Sequence, residues 1–237
     1  EVLEAAGMDS DLFAVPAASG TVIGEIPEKT ARVLGLRRGV IAVAGGHDQI
    51  CGALGSGAIR TGLACDSTGT VECVTVAFDR AVVNDRMLKS NFCCSPHVVP
   101  GMYATLAYNF TGGSLLRWFR DVFASEEKTE ALKTGRDAYD ILLGRAAAEP
   151  TGLTVLPHFT TTGTPHFDHD SSGAVLGLRF DTTRAQFIRA LLEGVSMEIR
   201  MNIELLHEAG VEVRELKAIG GGARSDYWLQ LKADVFG

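Results

Sequence analysis

The feature that most constrains this chain lies near its C-terminal end. Leu216-Lys217-Ala218-Ile219 reads as a short strand, Gly220-Gly221-Gly222-Ala223 follows it, and Ser225 then opens a stretch with Trp228, Leu231 and Val235 at helical spacing. Serine is a preferred helix N-cap. Strand, glycine turn and helix start, in that order, bring backbone N–H groups and the positive end of a helix dipole to one point, which is an anion-binding geometry. The string is not a Walker A motif, since no Gly-Lys-Ser/Thr follows. A plain strained turn would use the same glycines.

The rest of the chain alternates strands with helices. Gly39 to Gly46 is a short apolar run closed by glycines and reads as a buried strand ending in a tight turn, with a helix over Gln49 to Leu54. Leu63 to Asp66 and Thr70 to Phe78 flank Ser67-Thr68-Gly69 and predict a hairpin with glycine at its turn. Met102 to Asn109 reads as a further strand. Ser114 to Phe123 has a helical stripe of Leu115, Trp118, Phe119 and Val122, capped by Ser114 or Thr111. A long helix runs from Thr183 to Ala209, with Phe187, Leu191, Val195, Ile199, Ile203 and Leu206 on one face and Gly210 as its stop. This mixture points to α/β layering rather than a bundle or a sandwich. A domain boundary is expected near Ile59 to Gly62.

Composition narrows the functions open to such a fold. With 237 residues and 46% hydrophobic content, the chain can fill one large core or two smaller ones. The formal charge of −7 opposes a polyanion such as nucleic acid, and the apolar runs are too short for a membrane helix. The five cysteines fit no zinc spacing and read as reduced thiols, which places the protein in the cytoplasm. Glu1-Val2-Leu3-Glu4 resembles the middle of a helix and the chain stops at Phe236-Gly237, so both ends read as cut.

Three weak features share one chemistry. Phosphoryl transfer needs phosphate oxygens held by amides, hydroxyls and a metal, and a base for the attacking alcohol. Asp48, just past a strand and the Gly45-Gly46 turn, can take a proton from a hydroxyl, or it can cap the helix that follows. Asp66-Ser67-Thr68-Gly69-Thr70 can present N–H and O–H donors to phosphates, or be an ordinary turn. The Gly220 turn is the third. His158, His166, Asp168, His169 and Asp170 match no standard metal-ligand spacing and read as solvated loop residues.

Together these motifs resemble the FGGY carbohydrate kinases, the family of xylulokinase, gluconokinase, fuculokinase and glycerol kinase. The resemblance rests on Gly45-Gly46-His47-Asp48-Gln49, on Ser67-Thr68-Gly69-Thr70, and on Leu156-Pro157-His158-Phe159 with Thr164-Pro165-His166-Phe167-Asp168. It rests further on Arg184-Ala185 with Leu192-Glu193-Gly194, and on Gly220 to Ser225 with Trp228-Leu229-Gln230 and Ala233-Asp234. Thr160-Thr161-Thr162-Gly163 departs from the family's usual Ser-Gly-Glu-Arg.

The resemblance implies a ribonuclease H-like, actin/hexokinase-like ATPase fold. It implies residues 1–60 as the end of an N-terminal sugar-binding domain and 61–237 as most of a C-terminal nucleotide-binding domain. Asp48 would be the general base, with His47 and Gln49 beside it at the substrate. ATP would meet Thr68, Gly69, Thr70, Gly113, Gly221, Gly222 and Asp226, although an Asn stands at the last position in some members. Mg2+ would be held mainly through the ATP phosphates, with no metal site of the protein's own. The partners implied are a sugar or polyol, ATP and a second copy in a homodimer. The residues alone are expected to be inactive, since the family's first phosphate loop and most of its sugar contacts belong to the N-terminal domain. Two rivals remain: an actin-like nucleotide-binding regulatory module without transferase activity, and a metal-dependent hydrolase using His47, Asp48 and His166.

Overall fold

The computed structural model describes residues 2–237, which divide into two compact units, the first ending at His47 and the second taking Asp48–Gly237. The first unit holds α1 (Val2–Ala5), β1 (Val22–Glu25), α2 (Glu28–Val33) and β2 (Ile41–Val43), with β1 and β2 paired antiparallel. The apolar run before Gly45 is thus a strand, but not a buried one. Ile41 is 54% and Val43 46% exposed, because a two-stranded ribbon offers no second layer to cover them.

The second unit is built on a five-stranded sheet. Its elements are α3 (Asp48–Ser56), β3 (Gly62–Thr68), β4 (Glu72–Phe78), α4 (Asp85–Lys89), β5 (Ser95–Pro96), β6 (Tyr103–Asn109), α5 (Gly113–Phe123), α6 (Ser125–Thr134), α7 (Ala138–Leu143), β7 (Thr154–Leu156), β8 (Ala174–Leu176), α8 (Arg184–Glu208), β9 (Val213–Gly220) and α9 (Asp226–Phe236). The strand order is β5-β6-β4-β3-β9, with β3 and β9 parallel and the other pairs antiparallel. Strand β9 is longer than the Leu216 to Ile219 segment that sequence suggests, since it pairs with the whole of β3.

Side-chain alternation gives the sheet two buried faces. Leu63 and Cys65 of β3 pack with Ala53 of α3 and Ile219 of β9. Ala64, Val74, Val76 and Ala107 face the other way, onto Ile199 and Leu206 of α8. The N-terminal half of α8 joins α5, α7 and α9 in a helical core around Leu116, Leu142, Leu191 and Trp228. Thr183 caps α8 in a reciprocal capping box with Gln186, and Gly210 ends it at φ +83°. Among the described residues, no helix is long and apolar enough to cross a membrane.

The helix over Ser114 to Phe123 is present but is not capped by Ser114 or Thr111. Gly112 is its N-cap and makes no side-chain bond. Carbonyls of the β3–β4 turn do the work instead: Gly69 O accepts from Gly113 N (2.9 Å), and Thr70 O from Gly112 N and Ser114 N (3.1 Å each). A tertiary contact replaces the local cap.

His166, Asp168, His169 and Asp170 are exposed loop residues, as their spacing suggests, but the loop between His158 and His166 turns inward. Thr162 and Thr164 are buried. Thr164 is tied to β6, its N–H donating to Tyr108 O (2.9 Å) and its hydroxyl accepting from Tyr108 N (2.8 Å). His158 is likewise held, its Nδ1 3.0 Å from Ser171 Oγ and its Nε2 3.3 Å from Glu198 Oε1.

Candidate functional site

Three separate segments converge on one cleft. The first is the β3–β4 hairpin, whose turn is Gly69-Thr70-Val71, with Ser67 and Thr68 still inside β3 opposite Cys73 and Glu72. The second is the start of α5. The third is the turn between β9 and α9, where residues Gly222–Arg224 form a 3-10 turn and Ser225 Oγ accepts from Trp228 N at 3.2 Å to begin α9. The parallel pairing of β3 with β9 sets the hairpin and the glycine turn side by side, Thr68 opposite Gly220.

Absent side chains make this junction possible. A Cβ at Gly113 would lie 2.6 Å from Gly69 O, one at Gly220 2.6 Å from Thr68 O, and one at Gly222 2.7 Å from Thr68 Cβ. Gly220 also sits at φ +86°, a conformation L side chains rarely adopt.

The resulting cleft encloses about 310 Å³. Thr68, Gly69, Thr70, Gly113, Gly221 and Gly222 all line it, so six of the seven residues expected to meet nucleotide share one wall system. Asp226 is not among them. As the first residue of α9 it is exposed and lines an adjoining depression with Asp140, Gly144 and Tyr227.

Other cleft residues escape a reading by motif. Arg117 lies one helical turn beyond Gly113, and its Nη2 donates to Thr70 Oγ1 at 3.0 Å. Arg224 brings a second positive charge, while Asp137, Tyr139 and Asp140 close the cleft from the α7 side. The four-residue spacing from Gly113 makes Arg117 findable from sequence, once the helix is placed. The α7 residues follow no glycine motif, and only the packing of Leu142 and Leu143 into the core brings them here.

Asp48 opens α3 and is exposed, with its Oδ1 accepting from Gln49 N at 2.8 Å. Helix α3 packs on the face of β3 and β9 opposite to α8. His47 is exposed and ends the first unit. His47, Asp48 and Gln49 are not part of the cleft lining. Among the described residues no group of three or more His, Cys, Asp or Glu side chains is placed to hold a metal ion.

Comparison with known proteins matches this architecture closely. Residues 64–237 match the family model described as the FGGY family of carbohydrate kinases, C-terminal domain. The chain is 32% identical over 227 residues to a xylulose kinase of Staphylococcus epidermidis, covering 95% of this chain and 44% of that protein. It is also 32% identical over 241 residues to an autoinducer-2 kinase of Yersinia pestis, covering 100% of this chain and 45% of that protein. The crystal structure of a xylulose kinase from Rhodospirillum rubrum superposes with a TM-score of 0.75 at 30% identity, over 98% of this chain and 47% of that one. The chain therefore spans less than half the length of these relatives.

Proposed function

The chain belongs to the FGGY family of carbohydrate kinases, with their actin/hexokinase-like ATPase fold, and from that premise we propose that the protein carrying it phosphorylates a hydroxyl of a sugar or polyol from ATP. The observation that carries this reading is the convergence of the hairpin turn, the α5 N-terminus and the Gly221-Gly222 turn on one cleft. Residues 1–60 are assigned to the end of a sugar-binding domain and 61–237 to the nucleotide-binding domain.

In this reading the hydroxyl and amide donors of Thr68 to Thr70 face the phosphates. Arg117 and Arg224 supply positive charge, and Gly221 and Gly222 let the nucleotide approach the backbone. The polar side chains lining the cleft are the hydroxyls of Thr68, Thr70, Tyr139 and Ser225, two arginines and the carboxylates of Asp137 and Asp140, a donor set that fits Mg2+ carried mainly on the phosphates, where it would offset their charge. Asp48 takes the proton from the attacking hydroxyl, with His47 and Gln49 beside it at the acceptor. A loose transition state asks for little beyond such positioning and charge neutralisation. Residues 1–237 alone are proposed to lack turnover, because the family's N-terminal phosphate loop is not among them.

The test is ADP release by the full-length protein against a panel of pentoses, hexoses and polyols. Acceptor-dependent release with one or a few of them is expected. Nucleotide binding that no acceptor converts into turnover would favour an actin-like regulatory module, and stoichiometric zinc or manganese with hydrolytic activity would favour a metal-dependent hydrolase.

A further inference from the structure

Directly behind the hairpin, three ionisable side chains are buried that the transfer chemistry above leaves unused. Asp66 of β3, Glu72 of β4 and Lys232 of α9 are 1%, 0% and 5% exposed. Lys232 Nζ lies 2.7 Å from Asp66 Oδ2 and 2.6 Å from Glu72 Oε1, the second contact off the line of a hydrogen bond. The same ammonium donates to Thr68 Oγ1 at 2.5 Å and stands 5.2 Å from the centre of the Trp228 ring. Thr68 and Trp228 both line the cleft.

An ammonium has three donors and no acceptor. Thr68 Oγ1 therefore receives Lys232 on a lone pair, and its own proton points elsewhere. Asp66 Oδ1 and Glu72 Oε2 are buried without a hydrogen-bond partner, and the two carboxyls contact the same ammonium. Burial beside a second carboxylate favours a proton on Glu72. That proton leaves the cluster neutral, with one ammonium, one carboxylate and one carboxylic acid. Such buried ionic clusters contribute little net stability, since apolar replacements of similar volume are often at least as stable. Their position beneath the cleft wall calls for another account.

We propose that Lys232 is a positioning residue for the nucleotide: held between Asp66 and Glu72, it fixes the Thr68 hydroxyl as a donor into the cleft and steadies the Trp228 ring beside it. This rests on the nucleotide reading of the cleft and deepens it. The charged groups facing Glu72 are Asp66 from β3 and Lys232 from α9, while its neighbour on β6, Asn109, is uncharged. Burial, and then the Asp66 charge, push the Glu72 carboxyl up to about 8, with Lys232 opposing both. Loss of that proton at alkaline pH leaves the cluster with a net negative charge behind a site for phosphates.

The test is calorimetric titration of ADP into the full-length protein. Lys232→Met is made together with Asp66→Asn, so that no unpaired carboxylate is left buried, and Thr68→Val is made alone and in that background. Each is expected to weaken ADP roughly tenfold, the scale of one hydrogen bond to a charged group, and the combination no more than the larger of the two, because both remove the same donor. Affinity in the unsubstituted protein should fall above about pH 8, and Glu72→Gln, which keeps a neutral carboxyl-like donor, should abolish that fall. Multiplicative effects, or variants that melt earlier yet bind ADP normally, would overturn the proposal. Should the Lys232 variant not fold, normal ADP binding by Thr68→Val or an unchanged pH profile in Glu72→Gln would do so equally. An unsubstituted protein that binds no ADP would instead overturn the kinase reading on which the proposal stands.

Discussion

Gly113 stands directly on the carbonyl of Gly69: its N–H donates to that oxygen at 2.9 Å, and a Cβ in its place would lie 2.6 Å from it. The contact fastens the start of α5 to the hairpin turn. Gly113→Ala must push the turn off the helix, and overpacking of this kind costs about 1–3 kcal/mol. Thermal unfolding of the variant is expected to report that loss, together with weakened ADP binding, because the displaced residues are the cleft wall. A variant with unchanged melting temperature and ADP affinity would show that the turn has room to move.

The two middle glycines of the β9–α9 turn are expected to behave differently. A Cβ at Gly222 would sit 2.7 Å from both Cβ and Cγ2 of Thr68, whereas at Gly221 its nearest neighbour is Thr68 O at 3.9 Å. Gly222→Ala therefore costs stability on the same scale of about 1–3 kcal/mol. Gly221→Ala should change stability by no more than about 0.5 kcal/mol, as at an unencumbered surface site, while placing a methyl in the cleft. Melting temperatures and ADP titrations of the pair separate the roles: loss of fold for one, loss of ligand with intact fold for the other.

Much of this site is legible in the sequence. The β9–turn–α9 unit, the hairpin at Thr68 to Thr70 and the long helix from Thr183 to Ala209 each declare themselves through local chemistry: a serine cap, β-branched runs and glycine stops. What stayed hidden is what chain-distant contacts decide. The α5 cap is a pair of carbonyls more than forty positions away in the chain, so no residue near Gly112 marks it. Lys232 follows Trp228 by four positions and shares its buried face, yet a lysine there reads as a snorkelling side chain until Asp66 and Glu72 appear opposite it. Strand β2 shows the reverse error, in which an apolar run promises burial that its own unit does not provide.

Another buried carboxylate, away from the cleft, predicts a pH response of opposite sign to that of Glu72. Glu127 of α6 is fully buried and accepts from Arg184 Nη1 and Nη2 and from Arg145 Nη1, each at 2.6 Å. The Arg184 hydrogen bonds hold its carboxyl down at about 2, against 4.5 in an unstructured chain, outweighing the burial that would raise it. A depressed carboxylate stabilises the fold above its unfolded pKa, and that contribution is lost as pH falls from about 4.5 through about 2. Glu127→Gln should destabilise at neutral pH toward the low end of the about 3–5 kcal/mol for a broken buried pair, since Arg184 and Arg145 are 37% and 40% exposed. The gap between variant and parent in urea unfolding should close as the pH is lowered through that window. A gap that is constant with pH would assign the loss to packing.

Asp48 is the residue on which the proposed chemistry turns. It is exposed at the first turn of α3, and its Oδ1 accepts from Gln49 N, a bond that the carbonyl oxygen of asparagine can also accept. Asp48→Asn is therefore expected to leave the helix and the melting temperature in place while removing the proton acceptor. In the full-length protein, acceptor-dependent ADP release should fall by roughly 10²–10⁴-fold, the usual scale for a general base, with ADP affinity unchanged because Asp48 is outside the cleft lining. A helix-capping role alone would leave turnover near normal along with the melting temperature, since asparagine caps as well as aspartate. Measuring turnover, melting and ADP binding on the same variant decides between base and cap.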